Sequence, residues 1–214
     1  MSSIYEKLPP DFFDSSQNAM NPVTAYYHRS RYLKIRRFIG ASFREGQEIL
    51  DIGSGSASWN TGRLPVTGLD QNEAMLEYGK GKGYLRDSIT WDLGKVPLPV
   101  PDGSFDYIVI SEVLEHLDEP QAIIRESFRI LRRGGLLIAT VPLDTPFSAW
   151  NVLFSLNCFL LGDLLGNEYY RNRCGHVQHF SARSISALME NEGFGIVGKD
   201  VTVLNIGLVA KKPT

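Results

Sequence analysis

The chain has 214 residues, of which 43% are hydrophobic and 21% charged, a composition sufficient for one substantial hydrophobic core. Its 22 basic and 24 acidic residues leave a net charge of −2, so nothing indicates a polyanion binder, and we expect no nucleic-acid partner. Two cysteines, Cys158 and Cys174, are too few for a disulfide framework or a zinc site. The first residues lack a basic start followed by an apolar run, so we expect a cytoplasmic protein.

The N-terminal part is first polar and then basic. Residues 1–22 contain three prolines and are predicted to form an irregular arm of a single domain spanning 1–214. Residues 24–38 have helical spacing and carry several Arg and Lys side chains. One interpretation is a solvated cationic face on a helix that packs across the sheet edge. The alternative is that one of three side chains closes over a ligand: Tyr26, Tyr27 or His28.

The strongest local pattern is EILDIGSGSASW, residues 48–59. A short apolar strand carries Asp51 and breaks into a Gly/Ser loop, which is how α/β sheets form ligand sites at their carboxyl edge. A dinucleotide-binding loop would have glycine where Ser58 stands, and a Walker loop would end in Gly-Lys-Ser/Thr. The loop is therefore typical of a ligand that closely approaches the backbone at Gly53 and Gly55 but needs no phosphate cradle.

Strands and helices alternate after this loop. Strands are predicted at 65–69, 88–91, 107–110 and 136–141, and helices at 72–78 and from 120 to the glycine pair at 134–135. The alternation predicts a parallel, doubly wound α/β sheet with the site at the carboxyl ends of its strands. A helix at 182–192 and strands near 195–199 and 203–210 indicate a terminal antiparallel hairpin.

Acidic residues follow two of these strands. Asp70 ends the second strand, where a carboxylate can accept both hydroxyls of a ribose. Asp92 and Leu93 follow the third strand and offer an acid for an exocyclic amine and an apolar side chain for a purine ring. With Asp51 beside a cationic tail, these positions describe an adenosyl sulfonium cofactor.

Five segments occur in order along residues 36–211: ILDIGSGSASW, VTGLD, DGSFDYIVISEVLEHL, RILRRGGLLIATVP and GHVQHFSARSISALMENEGF. Together they resemble the class I S-adenosylmethionine-dependent methyltransferases, most closely the small-molecule branch called type 11. The resemblance implies a Rossmann-like seven-stranded sheet, mostly parallel with an antiparallel last strand. It also implies S-adenosylmethionine as the methyl donor and in-line displacement by a small-molecule acceptor, for which an oxygen nucleophile is favoured.

Eight positions match the cofactor contacts of that family. They are Asp51, Gly53 and Gly55 for the methionine part, Asp70 and Gln71 for the ribose, Asp92 and Leu93 for the adenine, and Ser111 facing the sulfonium. One departure is Ala57, which stands where the family usually has a third glycine. Another is that Asp70 follows Asp51 by only 19 residues, shorter than usual by about 3.6 residues, one helical turn. The helix after the loop is therefore predicted to be stubby and the methionine end of the pocket more open.

The segment SEVLEHL contains Glu112, Glu115 and His116, which would share one face if the segment is helical. Such a face could hold a divalent cation, and E-x-x-E-H resembles the metal-binding element of small-RNA 2′-O-methyltransferases and quinone-pathway O-methyltransferases. The favoured interpretation needs no metal and has Glu115 and His116 orient loops or cap the following helix. The catalytic alternative has His116 as a proton acceptor or substrate contact. Imidazoles have a suitable intrinsic pKa, so His179 is the second catalytic candidate and His176 an alternative to it.

Residues 143–180 form the least family-like segment and are predicted to select the acceptor. Within them, residues 147–165 are nearly all apolar but short of the about 20 residues that span a bilayer. The segment is expected to be a lid, with a homodimer or partner surface and a peripheral membrane contact as alternatives. Four further residues indicate an acceptor with an aromatic or apolar part and an anionic group: Tyr169, Tyr170, Arg171 and Arg173.

Other functions stay open on the sequence. Ala57 and the short first helix weakly favour a non-catalytic S-adenosylmethionine-binding partner or regulatory protein. The E-x-x-E-H element leaves a metal-assisted RNA or quinone-type O-methyltransferase. An NAD-linked oxidoreductase is disfavoured by Ser58.

Overall fold

A seven-stranded sheet organises the computed structural model, which describes residues 8–17 and 22–214. Its strands are β1 (Ile49–Ile52), β2 (Val66–Asp70), β3 (Asp87–Thr90), β4 (Phe105–Ser111), β5 (Leu131–Pro142), β6 (Gly195–Val201) and β7 (Asn205–Lys211). They lie in the order β3-β2-β1-β4-β5-β7-β6. The first five pair in parallel, and β7 is antiparallel to both β5 and β6. The predicted Rossmann-like sheet with a reversed last strand is confirmed.

Helices cover both faces of this sheet, which explains why β1 and β2 are buried at every position. The α-helices among the described residues are α1 (Phe12–Gln17), α2 (Pro22–Gly40), α3 (Glu73–Lys82), α4 (Pro120–Ile130), α5 (Ala149–Asn157), α6 (Glu168–Arg171) and α7 (Ala182–Asn191). On one face, α4 and α7 pack Ile124 and Met189 into a core with the sheet. On the other, Ile35 and Ile39 of α2 and Leu76 of α3 form a second core.

The N-terminal arm is not irregular throughout, contrary to the prediction. Residues 12–17 form α1, and a Cβ built on Gly55 would meet the ring of Phe13 at 2.8 Å. Asp14 also accepts a hydrogen bond from the hydroxyl of Tyr78 on α3 at 2.9 Å. The helix α1 therefore lies directly over the glycine loop. The rest of the predicted arm, apart from residues 8–11 and 22, falls outside the described residues.

Two helices do not end at the glycines that the sequence predicts, which are Gly79 and the pair Gly134–Gly135. The helix α3 continues through Gly79 to Lys82, and Gly83, whose φ is 73°, caps its end. A Cβ at Gly79 would lie 2.6 Å from the carbonyl oxygen of Ser56, so glycine there allows α3 to pack against the first-motif loop. The helix α4 ends at Ile130, before the pair Gly134–Gly135, because the chain enters β5 at once.

The predicted stubby helix after β1 is absent. Residues 53–63 form successive turns, and φ is positive at Gly53, Gly55 and Ala57. The side chain of Asn60 fixes the end of this segment, because its Nδ2 donates to the carbonyl oxygens of Leu64 and Tyr84 at 2.9 and 2.7 Å. A span of this length is filled by turns that one asparagine holds in place.

Part of the basic side of α2 is buried rather than solvated. Lys34 has 4% of its side chain exposed, and its Nζ donates to the carbonyl oxygens of Asn205 at 3.1 Å and Asp200 at 3.3 Å. Burial lowers the pKa of Lys34, and the Asp200 carboxylate opposes that shift. This lysine ties α2 to the terminal hairpin, so the solvated interpretation is wrong for it.

Lys34→Met is expected to destabilise the protein by about 2–3 kcal/mol, because buried acceptors on the hairpin lose a charged donor. Arg37→Met is the matched control, since Arg37 pairs with the same Asp200 from a side chain that is 62% exposed. An exposed pair of this kind contributes about 0–1 kcal/mol. Urea unfolding curves measure both effects, and equal losses in the two variants would contradict this account of Lys34.

Candidate active site

The carboxyl ends of the central strands lie side by side, as predicted. Ile52 of β1 pairs in register with Leu69 of β2 and Ile110 of β4. This register brings Asp70 and Ser111, the last residues of β2 and β4, to one edge of the sheet, next to the glycine loop. The edge is where a parallel α/β sheet binds small ligands.

Asp51 is a buried acid with one open position. Asp51 is 1% exposed, and its Oδ2 accepts a hydrogen bond from the indole Nε1 of Trp59 at 2.7 Å. Its Oδ1 has no hydrogen-bond partner among the described residues. Burial raises the pKa of Asp51 to about 7, and the hydrogen bond from Trp59 opposes that shift. A cation bound nearby would therefore lower the pKa of this carboxyl group and favour the loss of its proton.

Asp70 organises the backbone around it. Its Oδ2 accepts from the backbone N–H of Gly55 and its Oδ1 from that of Asn72, each at 2.8 Å. Burial raises the pKa of Asp70, and these hydrogen bonds oppose the rise. Each carboxylate oxygen keeps a second lone pair that could accept a ribose hydroxyl. The neighbouring Gln71 has a buried Nε2 without a hydrogen-bond partner in the described part of the chain.

Asp92 and Leu93, the two residues predicted to contact the adenine, differ in their burial. Asp92 is half-buried, and its Oδ1 accepts from the N–H of Gly94 at 2.9 Å. Leu93 is buried in the core, and a Cβ on Gly53 would meet Leu93 at 3.4 Å and Val113 at 2.4 Å. The loop after β3 therefore packs directly on the first glycine of the motif.

These residues fit S-adenosylmethionine, as judged from two buried polar atoms that no described residue satisfies. The Oδ1 of Asp51 could take the ammonium of the methionine part, and Gln71 and Asp70 could take the ribose hydroxyls. Asp92 and Leu93 stand beside them for the adenine. Ser111 lies at the end of β4, where its hydroxyl is 2.9 Å from that of Thr140.

The SEVLEHL segment is not one continuous helix, so the shared face that a helix would give is absent. Glu112 has a φ of 57° and lies outside the single 3₁₀ turn formed by Leu114–His116. Its Oε1 accepts a hydrogen bond from Thr140 at 2.9 Å, and burial strongly raises the pKa of Glu112, with Glu115 adding to the shift. Glu112 therefore points toward the end of β5, while Glu115 lies in the separate 3₁₀ turn.

Glu115, His116 and His176 instead form the compact group, and we call these three residues the acid–histidine cluster. One ligand atom of each lies within 4.8 Å of the others. The carboxylate oxygens of Glu115 are buried and hydrogen-bond to no other residue of the described part. Burial raises the pKa of Glu115 to about 8 and lowers that of His116. The group could hold a divalent cation or accept a proton.

The tautomer of His116 follows from its neighbours. Its Nδ1 lies 3.2 Å from the carbonyl oxygen of Gly175, which can only accept, so the neutral ring carries its proton on Nδ1. Its Nε2 is then an acceptor and lies 3.9 Å from Oε1 of Glu115. A proton taken up by Nε2 would create an imidazolium next to a carboxylate.

His179 does not join this cluster. Its Nδ1 lies 2.7 Å from Oδ2 of Asp144, and its side chain is 62% exposed. The structure thus brings His176, rather than the predicted His179, next to His116. The ring centroids of His116 and His176 are 4.9 Å apart.

A cleft of about 620 Å³ opens above the acid–histidine cluster, within the size range of small-molecule sites, about 300–1,000 Å³. Stacked rings form one wall: Tyr27 lies 4.3 Å from Trp150, and Trp150 lies 5.1 Å from Phe154, between ring centroids. Further side chains of α1, α2 and α5 line the remaining sides. The cleft is therefore aromatic along its length and acidic at its floor.

The inserted segment 143–180 contributes much of this lining. Its helix α5 continues into a π-helical stretch, Cys158–Leu164, and Tyr170 reaches the cleft while Arg171 is exposed. The side chains of Tyr169 and Arg173 fall outside the described residues. His28 and Tyr27 also line the cleft, which supports the alternative interpretation of α2, whereas Tyr26 is exposed.

Several apolar side chains of this segment face outward. Phe147 is 94% and Leu165 74% exposed. No helix among the described residues is long and apolar enough to cross a bilayer. A homodimer or peripheral membrane contact through 147–165 stays a prediction.

Sequence reasoning missed four residues of the site: Phe13, Arg31, Trp59 and Trp150. Phe13 lies far from the motifs along the chain, and Trp150 lies in the inserted segment, where no motif singles it out. Arg31 falls on the face that the sequence interprets as solvated. Trp59 is the one with a local signal, because an indole in a loop too short for a helix has to pack near Asp51.

A family model described as a methyltransferase domain matches residues 25–198. The chain belongs to this family. This match confirms the predicted class, a small-molecule-type class I S-adenosylmethionine-dependent methyltransferase. It also confirms the predicted cofactor, S-adenosylmethionine.

Curated relatives of this methyltransferase are distant. A demethylmenaquinone methyltransferase of Listeria welshimeri is 28% identical over 166 residues, which cover 71% of this chain and 66% of the relative. The ubiquinone/menaquinone biosynthesis C-methyltransferase UbiE of Escherichia fergusonii is 29% identical over 187 residues, covering 78% of this chain and 73% of the relative.

Solved structures support the same fold. A methyltransferase from Aquifex aeolicus superimposes with a TM-score of 0.62 at 15% identity, covering 96% of this chain and 99% of that chain. One from Methanosarcina mazei gives a TM-score of 0.60 at 21% identity, covering 82% and 97%.

Proposed function

We propose that this methyltransferase methylates a largely apolar small molecule with an ionisable hydroxyl group, and that a phenol or quinol is the acceptor class. The observation that carries the proposal is the aromatic cleft of about 620 Å³ that ends at the acid–histidine cluster. Rings stacked along the wall suit a planar acceptor, and a proton acceptor at the floor suits a hydroxyl.

The donor supplies an electrophilic methyl group, so the protein's task is orientation and removal of the acceptor proton. We assign the proton to Nε2 of His116, because the carbonyl of Gly175 holds the other ring nitrogen as the donor. Ionised Glu115, 3.9 Å away, would stabilise the imidazolium that results. Trp150 and Tyr27 would hold the acceptor ring against the site.

The methylated atom is a finer question. The sequence favours an oxygen nucleophile, whereas the relative from Escherichia fergusonii is named a C-methyltransferase. A phenolate carries negative charge on oxygen and on its ring carbons, so the same proton removal activates either atom. We propose phenolate chemistry in both cases, with the atom nearest the sulfonium as the nucleophile.

Methyl transfer to three acceptors tests the proposal: an alkyl-substituted hydroquinone, a long-chain aliphatic alcohol and a plain sugar. We expect product from the hydroquinone only, and nuclear magnetic resonance of that product distinguishes an O-methyl from a C-methyl group. Transfer to the sugar without transfer to the hydroquinone would contradict the proposed acceptor class.

We also expect turnover to persist after dialysis against a chelator, because Nε2 of His116 can accept the proton without a cation. The measurement compares initial rates before chelation, after chelation and after addition of Mg²⁺, Mn²⁺ or Zn²⁺. Loss of activity that one of these ions restores would show instead that the acid–histidine cluster binds a metal.

A further inference from the structure

Arg31 is a buried cation that no described carboxylate neutralises. The residue is 4% exposed, its Nε is buried without a hydrogen-bond partner, and its Nη2 donates to the hydroxyl of Tyr32 at 3.2 Å. No ion pair joins it to a described acidic side chain within 4.0 Å. Burying a charge without a counter-ion is costly, so a ligand anion is the expected partner.

The surroundings of Arg31 leave this position open to a ligand. Its guanidinium carbon lies 4.9 Å from the ring centre of Tyr32, 5.4 Å from that of Phe13 and 6.0 Å from that of Tyr27. Aromatic faces attract the cation but do not bond to Nε. Arg31 lines the cleft, so its guanidinium lies beside a space that a small molecule can enter.

We infer that Arg31 binds a carboxylate, either that of the methionine part of the donor or one on the acceptor. A planar guanidinium matches a carboxylate with two parallel hydrogen bonds. The inference rests on the proposed function, because both candidate ligands belong to the methyl-transfer site.

Arg31 lies where it could bind either the carboxylate of the donor or a carboxylate on the acceptor. Its charge lowers the pKa of Asp51 at the glycine loop and that of Glu115 in the acid–histidine cluster, against the larger upward effect of burial. The guanidinium is therefore within electrostatic reach of both ends of the site. An amino-acid zwitterion needs an acid and a cation, which Asp51 and Arg31 supply. An acceptor carboxylate in the cleft would meet the same guanidinium.

Calorimetry with two nucleosides tests the donor arm. S-adenosylhomocysteine carries the amino-acid carboxylate and 5′-methylthioadenosine lacks it. If the donor is the source, Arg31→Gln weakens S-adenosylhomocysteine binding by about 30-fold or more and leaves methylthioadenosine binding unchanged. Arg31→Lys recovers part of the loss, and Arg36→Gln, from an α2 side chain that bonds only Thr61 among the described residues, behaves as wild type.

Methyl transfer to a hydroxylated aromatic acid and its methyl ester tests the acceptor arm. If the acceptor is the source, Arg31→Gln raises KM for the acid by about 30-fold, leaves KM for the ester unchanged and does not alter S-adenosylhomocysteine binding. In both arms Arg31→Gln should unfold at the same urea concentration as wild type or higher, because it removes a buried charge.

The inference is overturned if Arg31→Gln leaves both the S-adenosylhomocysteine affinity and the acid-to-ester KM ratio unchanged. Equal weakening of both nucleosides and both acceptors, with lower stability, would also overturn it and show a structural role. A wild-type protein that binds neither nucleoside contradicts the proposed function itself, and the carboxylate assignment with it. The two failures are therefore distinguishable.

Discussion

Asp51→Asn is expected to weaken binding of S-adenosylmethionine by about 30- to 100-fold, since a charge-assisted hydrogen bond to the donor's ammonium is lost. The buried Oδ1 of Asp51 lacks a partner among the described residues, and asparagine preserves the acceptor for Trp59. Isothermal titration calorimetry measures the loss. Asp163→Asn, at an exposed acid of the inserted segment, is the control and should bind as wild type.

The pKa of Asp51, about 7, adds a pH signature to the same variant. Because the carboxyl group must ionise to hold the ammonium, wild-type affinity should rise about tenfold per pH unit below about pH 7 and level off above it. The Asp51→Asn variant should show no such slope. A wild-type affinity that does not change between about pH 5.5 and about pH 7 would contradict the role of Asp51.

The free energy of unfolding of the wild-type protein should fall as pH rises, whereas its affinity for the cofactor should rise. The folded-state pKa of Asp51 lies above the unfolded value, so the folded protein holds a proton that the unfolded chain releases, and stability falls as pH rises from about 4 to about 7. Above that range the buried charge costs up to about 4 kcal/mol. Asp51→Asn should therefore be more stable than wild type at about pH 8 and close to it at about pH 4. Urea unfolding at the two pH values measures the difference.

His116→Gln is expected to lower kcat by about 100- to 10,000-fold, the usual contribution of a positioned general base, while binding of S-adenosylhomocysteine stays as in wild type. The matched control is His179→Gln, because His179 pairs with Asp144 and does not line the cleft. A larger loss in the His179→Gln variant than in the His116→Gln variant would contradict the assignment of the proton acceptor.

Ionisation of Glu115 is expected to determine how kcat depends on pH when His116 removes the acceptor proton. Because ionised Glu115 stabilises the imidazolium, kcat should rise with pH and reach a plateau above about 8, its folded pKa. Glu115→Gln should remove this limb and lower the plateau. An unchanged limb in the variant would assign the titration to another group.

The sheet and its ligand edge could be predicted from sequence because their signals are local. Apolar runs that contain Asp51 or end at Asp70 and Ser111 indicate parallel strands, and parallel strands bring their carboxyl ends together whatever follows them. Those positions stay proposals for cofactor contacts, but their placement at one edge required no tertiary information.

Loop conformations were harder to predict because they depend on contacts across the fold. Gly79 lies inside α3 with the backbone of Ser56 packed against it, a contact that no spacing reveals. Glu112 leaves the helical face because its backbone takes a positive φ while its side chain bonds Thr140. A single-sequence pattern therefore misplaced both residues.

The acceptor side was least predictable, since its residues come from distant parts of the chain. Arg31 on α2, His176 near the end of the inserted segment and Phe13 on α1 meet only when the arm and the insertion fold onto the sheet. The histidine in GHVQHF that lines the cleft could not be chosen from sequence, because the local pattern does not say which of His176 and His179 turns toward it.

Methyl transfer from isotopically labelled S-adenosylmethionine to an alkyl-substituted hydroquinone tests the central claim most directly. Mass spectrometry should find one labelled methyl group on the acceptor for each S-adenosylhomocysteine formed, with the rate reduced by His116→Gln and unchanged by His179→Gln. Tight binding of S-adenosylmethionine without transfer to any phenolic acceptor would contradict the account and favour a non-catalytic binding protein.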